Sequence, residues 1–259
     1  MRSKNALISE LPGRRRHGHE RRRAVYHRFI YNGKNSRDLG LVLSGEDVWK
    51  TAVPDLEFTS IPGHNGDLLI SNNKYKNVEI TYHVGVKRGF PLKYADLLNF
   101  LLADPGYHRL EDSYHPEYFR IGAFAADVNP QPGALNHSGT FDLTFNCKPQ
   151  KYLKQGERII TLTENGSIYN PTLFAAQPLI RVYGTGEVSI GQNSFQLTEN
   201  NEFCDIDCDL QDAYHGAENR NASLILTVGD FPVLKPGENI VVLGTGITRL
   251  EITPRWWCL

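Results

Sequence analysis

Apolar and polar residues alternate along most of the chain. Val78, Ile80, Tyr82, Val84 and Val86 share one parity, and Asn77, Glu79, Thr81 and His83 share the other. Phe141, Leu143, Phe145 and Cys147 alternate in the same way with Asp142, Thr144 and Asn146. A period of two sends successive side chains to opposite faces, so each run predicts a strand with one buried face. The runs 179–183, 206–210, 224–228, 239–243 and 248–252 repeat the pattern. Asn32-Gly33 and Asn65-Gly66 are turn dipeptides between such runs. One stretch has a different period. Over 91–104, Tyr94, Leu98, Leu101 and Leu102 recur at helical spacing, which predicts one helix with those four on its apolar face. Pro91 suits its first turn and Pro105-Gly106 ends it.

Strands buried on one face imply antiparallel sheets packed as sandwiches or barrels. The fold class expected is therefore mainly β. The polar stretches 148–151 and 154–157 mark a boundary, after which strands and turns follow to the C-terminus at the spacing a sandwich requires. Three segments are expected: a basic extension over 1–24, a β-rich domain with one helix over 25–150, and an all-β sandwich over 151–259. The long polar stretch 127–139 is expected to be an exposed loop.

Composition narrows the class. Hydrophobic residues make up 40% and charged residues 22%, ordinary values for a globular chain. No run approaches the ~18 apolar residues of a membrane-spanning helix. The net charge of −1 hides an asymmetry: residues 1–24 hold eight Arg/Lys and two Glu, net +6, and residues 25–259 are net −7. The basic stretch lacks the ~7–15-residue apolar core of a secretory signal.

Candidate chemistry is sparse. Cys147, Cys204, Cys208 and Cys258 lack the paired spacing of a zinc site and read as small core residues. Asp205, Asp207, Asp209 and Asp212 form the densest carboxylate group. They alternate with Ile206, Cys208 and Leu210 and lack the glycine of a calcium loop, so they read as the wet face of a strand. The tract His17-Gly18-His19-Glu20 lies in the basic extension. His108, His115 and His215 stand in no triad signature. Gly184-Thr185-Gly186 and Gly244-Thr245-Gly246 precede no helix and read as hairpin turns rather than phosphate loops. Arg255-Trp256-Trp257 follows a strand directly and reads as a clamp of the last strand onto the sandwich. No catalytic residue, metal ligand or cofactor is expected, and no enzymatic activity.

Taken in order, a set of motifs resembles the distal tail proteins of long-tailed, non-contractile bacteriophages. Tyr26-x-x-Phe29-x-Tyr31-Asn32-Gly33-Lys34 is similar to the family's opening strand and turn. Ser60-Ile61-Pro62-Gly63-x-Asn65-Gly66-Asp67-Leu68 resembles its signature turn, with His64 where arginine is usual. Leu110-Glu111-Asp112-Ser113-Tyr114 and Phe145-Asn146-Cys147-Lys148-Pro149 follow. Asn170-Pro171-Thr172, Phe231-Pro232-x-Leu234-x-Pro236-Gly237 and Pro254-Arg255-Trp256-Trp257 complete the set. The resemblance covers about 25–259 and marks Asn32, Gly33, Pro62, Gly63, Gly66, Asn170, Pro171, Phe231, Pro232, Pro254, Arg255, Trp256 and Trp257 as family-signature structural residues.

The resemblance implies a virion protein of the tail tip, made in the host cytoplasm. Its N-terminal β-sandwich-like domain would build a homohexameric ring around a channel for DNA in transit. Its C-terminal domain would be a galectin-like sandwich. Partners would be the major tail tube protein, the tail fibre or tail-associated lysin, and a receptor-binding protein, with no insertion into a membrane. The alternative is a carbohydrate-binding host-recognition protein built on the galectin-like domain. Residues 1–24 lie outside the resemblance. Glu20-Arg21-Arg22 can be encoded by a ribosome-binding sequence and Val25 by a GTG start codon. The segment is therefore expected to be a leader upstream of the true start, the alternative being a basic arm that binds an acidic neighbour or DNA.

Overall fold

The computed structural model describes residues 27–200 and 202–259; the extension 1–24, its histidine tract at 17–20 and Tyr26 lie outside the described residues. Ten strands come first: β1 (Phe29–Tyr31), β2 (Lys34–Asn35), β3 (Leu41–Ser44), β4 (Pro54–Ser60), β5 (Asp67–Tyr75), β6 (Val78–Val86), β7 (His108–Asp112), β8 (Tyr118–Phe124), β9 (Gln131–Pro132) and β10 (Gly139–Leu153). The helix α1 (Phe90–Leu102) lies between β6 and β7. Next come β11 (Ile160–Leu162), β12 (Gly166–Asn170), β13 (Leu179–Gly184), β14 (Gly186–Ile190), β15 (Asn193–Leu197) and β16 (Cys204–Asp207). The last are β17 (Asp212–His215), β18 (Glu218–Asn219), β19 (Leu224–Val228), β20 (Gly237–Leu243), β21 (Ile247–Thr253) and β22 (Trp257–Cys258). The fold is mainly β, as the alternation predicts.

The first lobe is one antiparallel sheet in the order β2-β1-β7-β8-β10-β6-β3, with β9 and β22 also on β10. His27 bridges Leu43 of β3, so the sheet curls back toward its own beginning. The alternating residues of β6 and β10 meet inside the curl: Val78, Ile80, Tyr82, Val84 and Val86 are buried with Phe141, Leu143, Phe145 and Cys147. Phe29 stacks on Tyr82 with ring centroids 5.1 Å apart. Burying each large apolar side chain contributes about 1.5–3 kcal/mol. Asn32 and Gly33 both have positive φ, 45° and 76°, which is the two-residue turn that suits a tight hairpin.

Helix α1 packs on this core through Phe90, Leu97 and Leu101, which are buried, with Tyr94 against Phe141. Its apolar stripe therefore follows Phe90-Tyr94-Leu97-Leu101. Leu102 is exposed, contrary to the expected face, because it lies about 100° round the helix from Leu101.

The second lobe packs a sheet ordered β11-β21-β13-β16-β17-β18 against one ordered β12-β20-β14-β15-β19. Ile180, Val182, Ile206, Leu250 and Ile252 of the first meet Val188, Ile190, Phe195, Leu197 and Val241 of the second in one core. The two Gly-Thr-Gly motifs are not hairpin turns. Each carries the chain from one sheet to the other, from β13 to β14 and from β20 to β21. They cross back to back: a side chain on Gly184 would meet the Gly246 carbonyl, and one on Gly246 would meet that of Thr185. The run 206–210 is also shorter than expected. β16 ends at Asp207, and both faces of it are buried. Leu210 lies beyond it and is exposed. The long loop 127–139 is an exposed excursion, with only the short β9 and one turn of 3-10 helix in it.

Leu101→Ala should cost about 2–5 kcal/mol in urea or thermal unfolding, as large-to-small core substitutions do. Leu102→Ala should stay within about 0.5 kcal/mol.

Candidate functional site

Four of the thirteen signature residues, Pro254, Arg255, Trp256 and Trp257, run along the place where the two lobes meet, and Asn170 shapes a corner beside it. Arg255 has φ +57°, a left-handed conformation that bulky residues rarely hold. Two interactions keep it there. Its guanidinium grips Asp207 with both oxygens, at 2.7 and 2.8 Å, and its N–H donates to the Gly156 carbonyl at 2.9 Å. Asp207 is 4% exposed and also accepts N–H groups from Asp209 and Leu210. Burial pushes this carboxyl up, but Arg255 and the two N–H donors outweigh it and hold it below the usual carboxylate range. Asp205, 6% exposed, is gripped in the same bidentate way by Arg181. The expected wet acidic face is thus corrected: both inner aspartates are buried and neutralised by arginines distant in sequence.

Past Arg255 the chain turns back to the first lobe. Trp256 is buried in the second core, and a side chain on Gly156 would overlap its backbone. Trp257 and Cys258 form β22, which pairs with Tyr152 and Lys151 of β10 in the first sheet. Leu259 packs against the first core. The Trp257 indole donates to the Ala175 carbonyl at 2.9 Å, and its ring stacks on Phe174 at 4.4 Å. The expected clamp is present, but it fastens the chain's end to both lobes rather than to the sandwich alone.

The corner that presents Phe174 is built by Asn170 and its neighbours. The Asn170 amide donates to the Phe174 and Leu234 carbonyls, and its oxygen accepts from the Thr172 N–H and hydroxyl. Pro171 sits on this corner. Phe231 and Pro232 lead into Leu234, whose backbone pairs with Ala176. Pro254 is buried just ahead of Arg255.

Asn32 and Gly33 form their hairpin elsewhere, and Pro62, Gly63 and Gly66 lie at the tip of an arm. β4 and β5 pair only with each other, a two-stranded hairpin outside both lobes' sheets. Phe58 stands opposite Leu69 on one face, while Leu68 and Ile70 occupy the other. All four are exposed. At the root, Asp55 accepts from Asn72 at 3.2 Å and pairs with Lys74 and Lys76. The Asn72 hydrogen bond is the main cause holding the Asp55 carboxyl below its usual range, and the two lysines add to it. The sequence reading does not single out Asp55, Phe58 or Phe174. The signal that points to the arm is Leu68-Leu69-Ile70, since consecutive apolar residues in a strand need cover on both faces.

The lobes also meet through charge. Arg109 of β7 pairs with Glu157 and Glu111, and Lys154 pairs with Glu111.

Reactive chemistry does not assemble with comparable care. Ser44, His83 and Asp142 fall in one row across β3, β6 and β10, beside a shallow groove of about 710 Å³. His83 Nδ1 meets Asp142 at 2.6 Å, but Nε2, the nitrogen a general base would turn to a serine, faces Asp47 at 3.4 Å. A smaller polar pocket joins Glu202, Phe203, His215, Glu218 and Arg220. Arg181 and His215 already engage the Phe203 ring. Burial pushes the Cys147 thiol up to about 12 and that of Cys204 to about 11, and raises Cys208 further. Thiols in that state are poor nucleophiles near neutral pH. Among the described residues no group of three or more His, Cys, Asp or Glu could hold a metal ion, and no helix is long and apolar enough to cross a membrane.

These features define a two-lobed, mainly β architecture with a projecting arm and a C-terminal strand returned to the first sheet. The fold is similar to that of the SPP1 Dit (gp 19.1) protein, whose crystal structure presents it as a paradigm of the hub adsorption apparatus in phages that infect Gram-positive bacteria. The similarity has a TM-score of 0.68 at 16% identity, over 90% of this chain and 99% of that one. The phage P2 baseplate in its activated conformation gives a TM-score of 0.49 at 10% identity, over 87% of this chain and 97% of that one with Ca, and 88% and 97% with Sr. No family model and no curated protein matches the chain in sequence.

Arg255→Ala leaves Asp207 buried without its cation and should cost about 3 kcal/mol of stability. Arg255→Ala with Asp207→Ala should cost less than the two single losses summed. Because the folded-state Asp207 carboxyl lies below its unfolded value, the pair stabilises fully above about pH 4 and is lost as pH falls further. Urea unfolding of wild type and Asp207→Asn should therefore differ at pH 6 and converge toward pH 3.

Proposed function

We propose that this chain is a non-enzymatic structural hub of a bacteriophage tail tip. Its copies form a closed six-fold ring, joining the tail tube above to the tail fibre or tail-associated lysin and the host-recognition apparatus below. The observation that carries the reading is the arm. A free two-stranded hairpin is marginal in water, and this one holds large apolar residues uncovered on both faces. An element of that kind makes sense when it lies against another chain. Head-to-tail contacts of one surface on another close into rings when the rotation permits.

The fold likeness to the SPP1 Dit hub supports the same reading. The unit over about 25–150 would supply the ring. The unit over 151–259 would project from it, and receptor-binding proteins would attach there. The strand β10 runs unbroken through that division, and its residues 151–153 still pair with β8 of the first sheet, where β22 joins them. The net −7 of residues 25–259 suits a channel through which DNA passes without adhering, since each phosphate neutralised by Lys or Arg adds affinity. The thirteen signature residues act in this reading as turn, corner and clamp residues. The host-recognition alternative, sugar binding by the second lobe, gains little from the polar pocket at β16–β18, because the aromatic ring there is already engaged.

Rings should be visible by electron microscopy of the purified protein or of particles. Phe58→Ser with Leu69→Ser should abolish association in sedimentation velocity while changing the unfolding midpoint little, because both side chains are exposed in the single chain. Association unchanged by the pair would sink the role given to the arm.

A further inference from the structure

The arm and the C-terminal clamp meet through three rings. Tyr75 ends β5 at the arm's root, opposite Pro54 of β4. Its ring is partly buried against the first core and meets Phe174 edge-on, centroids 6.3 Å apart. Phe174 stacks on Trp257 at 4.4 Å, and Trp257 is fixed by its bond to Ala175 and by its place in β22. Phe174 is itself held by the Asn170 and Thr172 corner of the second lobe.

The arm has few other restraints. Its strands pair with no other strand, and Asp55 with its partners ties the hairpin to itself. At the root, the Lys76 N–H donates to the Val53 carbonyl at 2.9 Å. That bond closes the hairpin but does not aim it. Through Tyr75 and Phe174 the arm's root touches the second lobe.

We propose that Phe174 is a positioning residue for the arm. Through Tyr75, Phe174 and Trp257, the second lobe and the C-terminal clamp set the bearing and order of the β4–β5 hairpin. The second lobe thereby takes part in arranging a surface that belongs to the first. This coupling concerns the single chain; it matters for assembly only if the ring reading above holds.

The test is amide hydrogen exchange on the full chain at dilutions where it is monomeric, comparing wild type with Phe174→Leu and Tyr75→Leu. Leucine keeps an apolar side chain at each site while removing the ring contacts. Both variants should speed exchange over 54–75 by up to about tenfold, leaving 141–147 and 180–190 unchanged. The double variant should do little more than either single one, because both break the same contact. Unchanged exchange over 54–75 overturns the proposal, as does acceleration spread evenly through both lobes. So does a wild-type arm that already exchanges as fast as unstructured chain. The readout is independent of association, so failure of the Phe58 and Leu69 test would reject the ring and leave the relay standing.

Discussion

A carboxylate taken out of water must meet a cation, and in this protein that requirement directs the end of the chain. Asp207 is buried between sheet and terminus, and Arg255 answers it from beyond the last long strand. The grip holds Arg255 in a left-handed conformation that costs on the order of 1–3 kcal/mol by itself. That single backbone reversal sends Trp256 into the second core and Trp257 and Cys258 onto β10 of the first sheet. The ion pair acts together with the Arg255 N–H to Gly156 bond and the Leu153 N–H to Trp256 bond, which tie the same segment to the end of β10 and the turn after it.

Much of the fold is legible in the sequence because strands buried on one face write their burial in alternate residues. Val78 to Val86 and Phe141 to Cys147 carry the first core in that form, and the apolar residues the parity names are buried, with Thr81 of the other parity buried beside them. The helix is legible too, although its stripe is one residue out at Leu102. Alternation fails at Asp205 and Asp207 for a physical reason. It separates two faces but does not say which is wet, and a polar face is buried when a partner neutralises it. Those partners, Arg181 and Arg255, stand 24 and 48 residues away, so no local window contains the pair. The same distance hides the row of Ser44, His83 and Asp142, which only the register of three strands assembles.

The junction was legible as a set of residues and not as a mechanism. Asn170 and Trp257 stand nearly ninety positions apart, yet both hold the segment at Phe174 and Ala175. Turn, cap and clamp roles of this kind depend on what lies across the gap, which composition does not reveal. The Gly-Thr-Gly pair gives the same lesson at smaller scale. Each motif reads as a turn, but only their back-to-back crossing explains why neither can carry a side chain.

The arm inverts the usual relation between hydrophobic pattern and burial. Leu68-Leu69-Ile70 has the composition of a strand covered on both faces, and within the single chain neither face is covered. A sequence that specifies one structure agrees at every level, and a local conflict marks a functional or strained site. Here the conflict is confined to one hairpin, whose root is tied by Asp55 and whose aim depends on Tyr75 and Phe174. Large apolar residues project along the arm among polar ones such as Glu57 and Thr59, and those that hold the root are polar or aromatic. In the ring reading proposed above, this division would let the arm stay ordered while keeping its apolar surface free. An arm ordered in advance forfeits less conformational entropy when it binds, so the same contacts yield a tighter joint.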